Sequence, residues 1–268
     1  MRSILLPVTE EDGLDSRLQV ALDIGRGLSG HIQFFHASPA GEYIAADPFG
    51  GAYYAAYAQQ AINEETDAKH ALVRERMADE DVPWDFLASH GALEHALAEH
   101  SRLADLLVLS EPPDWGDEED TASEISYLAV EAHCPIFAVP RASRALDCSG
   151  KAMIAWNGSA PAARAMRAAV PLLQLAETVE ILTIGEDPAP FSAKSAAAYL
   201  SRHGVSCEVV IRERGRKTAN MMHSLLEERR AAYLVMGAFG HGRLREAVFG
   251  GVSRYFIKHS PVPVLMAH

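Results

Sequence analysis

Four glycines near the end of the chain have a spacing that suits phosphate binding. Gly237 and Gly240 lie three residues apart, and Gly250 and Gly251 follow after nine intervening residues at the start of a predicted helix, which gives Gly-x2-Gly-x9-Gly. Glycine lets backbone N–H groups approach a ligand with no Cβ in the way, and a helix N-terminus adds unpaired donors and partial positive charge. The pattern favours a phosphate ligand, although such glycines also occur where a chain only turns and caps its helices.

The charge around this loop agrees with an anionic ligand, although the chain as a whole is acidic. The 24 basic and 36 acidic residues give a formal charge of −12, which repels phosphate backbones and anionic lipid. This balance argues against a general nucleic-acid or membrane-surface binder. Near the glycines the balance reverses, with the basic residues Arg243, Arg245, Arg254 and Lys258 against Glu246.

Two further strand ends supply groups that suit a nucleotide. The glycine loop follows a predicted strand, and in an open parallel sheet ligands bind beyond the carboxyl ends of the strands. Asn157 closes a second predicted strand and can hydrogen-bond a sugar hydroxyl or a base edge. Ile184 and Gly185 close a third strand and can offer backbone groups to a base. Three converging strand ends predict a nucleotide pocket.

The elements that must position these residues occur twice in the chain. Ile4–Thr9 aligns with Ala152–Asn157 at an offset of 148, and an amphipathic helix pattern follows each of these apolar runs. Leu107–Ser110 aligns with Leu234–Gly237 at an offset of 127. The fall of 21 between the two offsets predicts an insertion in the first copy.

Both copies alternate apolar strands with helices, which is typical of a parallel sheet covered on both faces. We predict an α/β fold of two tandem five-stranded, Rossmann-like domains, 1–142 and 151–268, joined by a linker at 143–150. We place the insertion at 38–60 and interpret it as an ordinary mobile loop, with a lid or a binding surface as the alternatives. Beyond it, Ala61–Asp79 is predicted to form a charged, solvent-facing helix.

The matching loop of the first copy lacks the features that suit phosphate. Pro113 stands where the second copy has Gly240, so the turn loses a backbone donor. Seven acidic residues and no basic residue lie between Ser110 and Ile125, and their charge would repel a triphosphate. We interpret the segment as a solvated acidic loop, with a divalent-metal site as the alternative. The sequence thus predicts one phosphate-binding copy and one copy that excludes phosphate.

Other chemistry has little support in the sequence. The histidine pairs His31/His36 and His95/His100 are five residues apart, which is off one helix face, and no HExxH or CxxC motif accompanies them. No Gly-x-Ser-x-Gly elbow is present to supply a hydrolase nucleophile. We therefore predict neither a catalytic residue nor a metal site.

The cysteine content and the start of the chain favour a cytoplasmic protein. Cys134, Cys148 and Cys207 cannot form a paired disulfide framework, which favours a reducing compartment. The apolar run Ile4–Pro7 is too short for a signal peptide or a membrane span. These observations predict a soluble protein of the cytoplasm.

Three motifs together resemble the universal stress protein family: the glycine pattern, the opening Ala155–Ser159 and the terminal Ser260–Leu265. Two copies on one chain resemble its tandem type, and the resemblance covers essentially the whole length, more clearly from Lys151 onward. The family has a five-stranded parallel fold related to the adenine-nucleotide α-hydrolase-like group, and a subset binds ATP. The resemblance also implies that the final strands, Pro135–Val139 and Val262–Met266, pair antiparallel about a local two-fold axis.

The resemblance assigns expected roles to individual residues. Ala155 and Asn157 would lie against adenine and ribose, and Ile184 would meet adenine through its backbone. The remaining site residues would be Met236 and, around the phosphates, Gly237, Gly240, Gly250, Gly251, Val252 and Ser253. Asn157 replaces the aspartate of the family's ATP-binding pattern, and Gly251 replaces its Ser or Thr. One lost neutral hydrogen bond would weaken binding roughly tenfold.

The expected function is a stress-response binding module that takes ATP or another adenine nucleotide, with or without Mg²⁺, in the second domain. A protein partner of unknown identity is expected, the halves form an intrachain pseudo-dimer, and a further homodimer is left open. One alternative is a family member that acts through protein contacts without a nucleotide. Another is a weak ATP-using enzyme, for which the related pyrophosphatase loop Ser-Gly-Gly-x-Asp-Ser is missing after both first strands.

Overall fold

The computed structural model describes residues 1–9, 13–38, 51–111, 121–213, 215, 217–238 and 251–268. At 51–58 and 121–124 it describes the backbone alone. Several predicted features lie outside the described residues: Gly240, Gly250, Arg243 and Arg245 of the glycine loop, the acidic stretch 112–120, and positions 39–50 of the predicted insertion.

Strands and helices alternate through both halves of the chain. The first half contains β1 (Ser3–Pro7), α1 (Leu14–Leu28), β2 (His31–Ser38), α2 (Gly51–Arg76), β3 (Trp84–His90), α3 (Leu93–His100), β4 (Leu106–Ser110), α4 (Thr121–Glu131) and β5 (Ile136–Val139). The second half contains β6 (Ala152–Ala155), α5 (Ala160–Leu173), β7 (Val179–Ile184), α6 (Ala193–Ser201), β8 (Cys207–Arg212), α7 (Thr218–Arg229), β9 (Tyr233–Gly237), α8 (Gly251–His259) and β10 (Val264–Ala267).

The ten strands form one continuous sheet in the order β3-β2-β1-β4-β5-β10-β9-β6-β7-β8. All pairs within each half are parallel. The halves meet at β5 and β10, which pair antiparallel with Phe137 opposite Leu265. This pairing hydrogen-bonds two edges that would otherwise stay open. The predicted α/β fold of two tandem parallel halves is confirmed.

The strand register repeats the offsets of the sequence alignment. Ile4 pairs with Leu106 in the first half, as Ala152 pairs with Tyr233 in the second. Ala152 follows Ile4 by 148 residues, and Tyr233 follows Leu106 by 127 residues. Each residue at the carboxyl edge of one half therefore has a structural counterpart in the other.

Helix α2 begins earlier than the sequence analysis predicted. It starts at Gly51 and ends at Arg76, so ten residues placed in the insertion are helical. The segment 51–60 is rich in alanine and contains no proline, and its helix propensity continues the pattern that follows it. One stripe of α2 is buried, including Ile62, Lys69 and Val73, so the helix covers the sheet instead of facing solvent on all sides.

The apolar core lies on both faces of the sheet and crosses the boundary between the halves. On one face α1 packs against α5, and on the other α4 packs against α8. Leu146, within the predicted linker, is buried, and its N–H donates to Asp23 at 2.7 Å. The linker is therefore packed against the first half. None of the helices in the described ranges is long and apolar enough to cross a bilayer.

A buried carboxylate is neutralised at the amino edge of the second half. The Glu180 side chain is 2% exposed, and its Oε1 lies 2.9 Å from Lys151 Nζ and 3.5 Å from Arg229 Nη1. A charge that leaves water needs such partners, because desolvation is otherwise costly. The pairs tie β7 to β6 and α7.

Candidate functional site

The three predicted strand ends are neighbours at the carboxyl edge of the second half. Strand β6 lies between β7 and β9, and Ala155 pairs with Leu182 on one side and Met236 on the other. Ile184 and Gly237 close the flanking strands. The register thus brings together groups that are far apart in sequence.

Asn157 projects from the end of β6 and is only partly engaged by the protein. Its Oδ1 accepts from Ser159 N at 3.1 Å, and the residue is exposed. Ser159 in turn caps α5, with its hydroxyl accepting from Ala162 N at 3.3 Å. The carboxamide oxygen therefore orders the turn between β6 and α5.

Gly237 is required by the close approach of a helix. A Cβ at this position would lie 2.4 Å from Ala162 N and 2.7 Å from Pro161 C, within the first turn of α5. A non-glycine side chain would push the helix from the strand. This glycine therefore has a packing role, which the glycine pattern alone did not distinguish from a phosphate-binding one.

The first turn of α8 lies beyond the undescribed part of the loop. Among the residues that the structure describes, none would lie within 4 Å of a Cβ at Gly251, and Gly251 itself is exposed. Val252 is half-buried and Ser253 is 6% exposed, so the Ser253 side chain is packed inside. The first-turn N–H groups of α8 have no partner within their own helix, and such groups can bind anions at helix N-termini.

The adenine end of the predicted pocket has fewer open backbone groups than expected. Ile184 is half-buried, but Gly185 N already donates to Arg212 O at 2.8 Å. Thr183, one residue earlier, is buried with its Oγ1 lacking a hydrogen-bond partner. A base at this end would therefore depend on Ile184 and on side chains that flank it.

Sequence reasoning missed a contact between the loop before α6 and the two residues that flank Asn157. Trp156 is buried, and its Nε1 donates to Phe191 O at 2.9 Å, which fixes the loop before α6. Phe191 itself is 62% exposed. The same loop packs on Gly158, where a Cβ would lie 2.8 Å from Pro188 Cβ. The proline and aromatic residues after β7 are the signal that could have indicated this contact.

The last residue also reaches this edge. His268 Nδ1 lies 3.1 Å from Ala238 O, directly after β9. Ala238 N donates to Ala267 O at 2.8 Å, so β10 and the start of the glycine loop are tied together. The start of the loop is therefore fixed by the strand that joins the two halves.

Charge divides unequally between the halves. Residues 1–142 contain 8 basic and 26 acidic residues, a formal charge of −18, whereas residues 151–268 contain 15 basic and 9 acidic residues, a formal charge of +6. The net charge that argues against polyanion binding therefore resides in the first half. The second half is electrostatically suited to an anionic ligand.

A buried histidine lies at the matching edge of the first half. His36 Nε2 is 3.8 Å from Glu65 Oε1 and has no hydrogen-bond partner. Burial lowers the pKa of His36, more than the Glu65 carboxylate raises it. In the part of the chain that the structure describes, no group of three or more His, Cys, Asp or Glu side chains could hold a metal ion.

Comparison with known proteins gives one sequence match and several structural ones. The profile of the Universal stress protein family matches residues 150–268. No curated protein matches the chain in sequence. A universal stress protein from Archaeoglobus fulgidus superimposes with a TM-score of 0.74 at 16% identity, covering 99% of this chain and 95% of that chain.

Two further structures illustrate the range of likeness. A putative universal stress protein from Pseudomonas aeruginosa gives a TM-score of 0.63 at 16% identity, covering 100% of this chain and 93% of that chain. A universal stress protein solved with cAMP gives a TM-score of 0.36 at 23% identity, covering 44% of this chain and 96% of that chain. The superpositions on the Archaeoglobus fulgidus and Pseudomonas aeruginosa proteins, with TM-scores of 0.74 and 0.63, establish the fold.

Proposed function

Because residues 150–268 match the universal stress protein family and the first half repeats their fold, we propose that this protein binds an adenine nucleotide, ATP, in its second half. The nucleotide biases the conformation of a stress-response binding module. The protein acts in the cytoplasm through a protein partner.

One observation carries the proposal: the ends of β6, β7 and β9 are adjacent, and α8 begins beyond the last of them. The base and ribose would lie between Ile184, Ala155 and Asn157. The phosphates, with or without Mg²⁺, would meet the first turn of α8. The formal charge of +6 on residues 151–268 supports an anionic ligand in this half.

The side chains at this edge support binding better than catalysis. Asn157 offers an amide, and Ala155 and Gly237 offer backbone. Asp187, three residues after Ile184, accepts from Ala193 N at 2.7 Å and is thereby bound to the first residue of α6. We therefore propose a binding module without a dedicated general base.

Isothermal titration of the full chain with ATP tests the proposal, with ADP and AMP as shorter ligands. We expect one site per chain, together with a rise in melting temperature and a change in the emission of Trp156, which lies between two of the site residues. A Gly250→Asp variant, which adds a negative charge to the glycine loop, should lose these responses.

Ser201→Asp is the matched control, because it adds the same charge to the same half at the exposed end of α6, which precedes the amino edge of β8. This control should bind like the wild type. Absence of heat and of thermal stabilisation in folded wild-type protein, up to millimolar ATP, would overturn the nucleotide proposal. That result would favour the family member that acts through protein contacts alone.

A further inference from the structure

A fully buried arginine lies at the carboxyl edge of the first half. Arg17, on α1, is 0% exposed. Its Nε donates to Pro7 O at 3.1 Å, its Nη1 to Ser110 Oγ at 2.9 Å, and its Nη2 to Thr9 Oγ1 at 2.6 Å. Pro7 and Ser110 are the last residues of the adjacent strands β1 and β4. The guanidinium therefore lies where the two strands end.

The groups that hold this guanidinium are the counterparts of the nucleotide site in the second half. The repeat offsets place Pro7, Thr9 and Ser110 at the positions of Ala155, Asn157 and Gly237. The counterpart of Arg17 is Ala165, whose side chain ends at Cβ and carries no donor. The helix that follows the first strand thus places a cation at this carboxyl edge in the first half but not in the second.

The local packing is adapted to this cation. Ser110 Oγ donates to Gly13 O at 2.7 Å while it accepts from Arg17. A Cβ at Gly13 would lie 2.5 Å from Ser110 Cβ, so the glycine makes room for the serine. In the second half the arrangement is exchanged, because the glycine stands on the strand, as Gly237, and the larger residue on the helix, as Pro161. Because the strand residue of the first half is a serine, its hydroxyl can accept the hydrogen bond from the guanidinium.

We propose that the carboxyl-edge crevice of the first half is a guanidinium site and that Arg17 fills it as an internal ligand. One carbonyl oxygen and two hydroxyl oxygens accept hydrogen bonds from the three different nitrogens of Arg17, which matches the planar donor geometry of a guanidinium group. A phosphate group at this point would have to displace the Arg17 guanidinium from its hydrogen bonds. The crevice of the first half is thus closed by the chain itself. Only the corollary, one nucleotide per chain, rests on the proposed function.

Chemical rescue of Arg17→Ala tests this site without any nucleotide. Ethylguanidinium reproduces the atoms removed beyond Cβ, so it should bind the cavity and raise the melting temperature of the variant. At tenfold excess over its dissociation constant the rise should be about 3 °C. Ethylammonium, which has one nitrogen and no planar fork, should give a smaller rise.

Arg26→Ala is the matched control on the same helix. Arg26 is partly exposed, with its Nε donating to Asp81 at 2.8 Å, so its removal leaves no enclosed cavity. Ethylguanidinium should stabilise neither this variant nor the wild type. Equal responses of the two variants to ethylguanidinium, or no response of Arg17→Ala, would overturn the proposal.

Hydrogen exchange in the unmodified protein keeps the proposal testable if Arg17→Ala does not fold. The Arg17 Nε–H signal, assigned by its loss in Arg17→Lys, should exchange at least about 100-fold more slowly than that of exposed Arg26, because local opening must precede exchange. Exchange of the two signals at the same rate would refute a buried guanidinium. Neither measurement involves ATP, so a failure here is distinguishable from a failure of nucleotide binding.

Discussion

Replacing Gly237 by alanine should destabilise the second half through a steric conflict. The added Cβ would lie 2.4 Å from Ala162 N, whereas ordinary contacts begin at 3.4 Å, so α5 and β9 must separate by about 1 Å. The neighbouring atoms are backbone and cannot rotate away. Overpacking of this kind costs about 3 kcal/mol. For a chain of this size, that cost corresponds to a fall of about 6–9 °C in melting temperature.

Thermal unfolding followed by circular dichroism measures this change, with urea unfolding as an independent check. Gly251→Ala is the matched control, because its Cβ would meet none of the described residues within 4 Å and it begins a helix. We expect that control to melt at or slightly above the wild-type temperature, since alanine has the higher helix propensity. A Gly237→Ala protein that melts within about 1 °C of wild type, a shift equivalent to less than 1 kcal/mol, would refute the close approach.

Two further predictions concern buried charge. Glu180→Ala should lower the free energy of unfolding, measured by urea titration, by about 2 kcal/mol. This loss is smaller than for fully buried pairs, because Lys151 and Arg229 stay partly exposed. Unchanged stability would mean that the pairs contribute nothing. For His36, burial lowers the pKa in the folded state. The unfolded chain therefore binds more protons as pH falls below about 6.5, and folding stability declines there. The wild type should lose more melting temperature than His36→Gln between pH 7.5 and pH 5.5 (about one unit on either side of that value), and equal losses would contradict the assignment.

The sequence predicted the fold closely where apolar runs end at clear breakers. Strand Val179–Ile184 and helix Thr218–Arg229 are examples, because glycine or charged residues flank them. The start of α2 was missed because an alanine-rich segment with tyrosines lacks a strong boundary signal. The repeat offsets were more informative than any single motif, since they also identify which residues of the two edges correspond.

The site was less predictable than the fold. Asn157 and Ile184 were placed by strand ends, but the packing role of Gly237 depends on how close a helix lies, and no local pattern encodes that distance. Arg17 was missed altogether, although a signal exists. It stands three residues after Leu14 and four before Ala21, on the apolar stripe of α1, where a charged residue needs partners inside the protein.

The antiparallel join between β5 and β10 determines which way each half faces. Every strand of the first half is antiparallel to every strand of the second, so the two carboxyl edges lie at opposite ends of the sheet. A molecule docked at one end leaves the other end sterically accessible. The proposed nucleotide site of the second half and the carboxyl edge of the first half therefore do not compete for the same space, and any influence of one on the other would have to pass through the shared sheet and its helices.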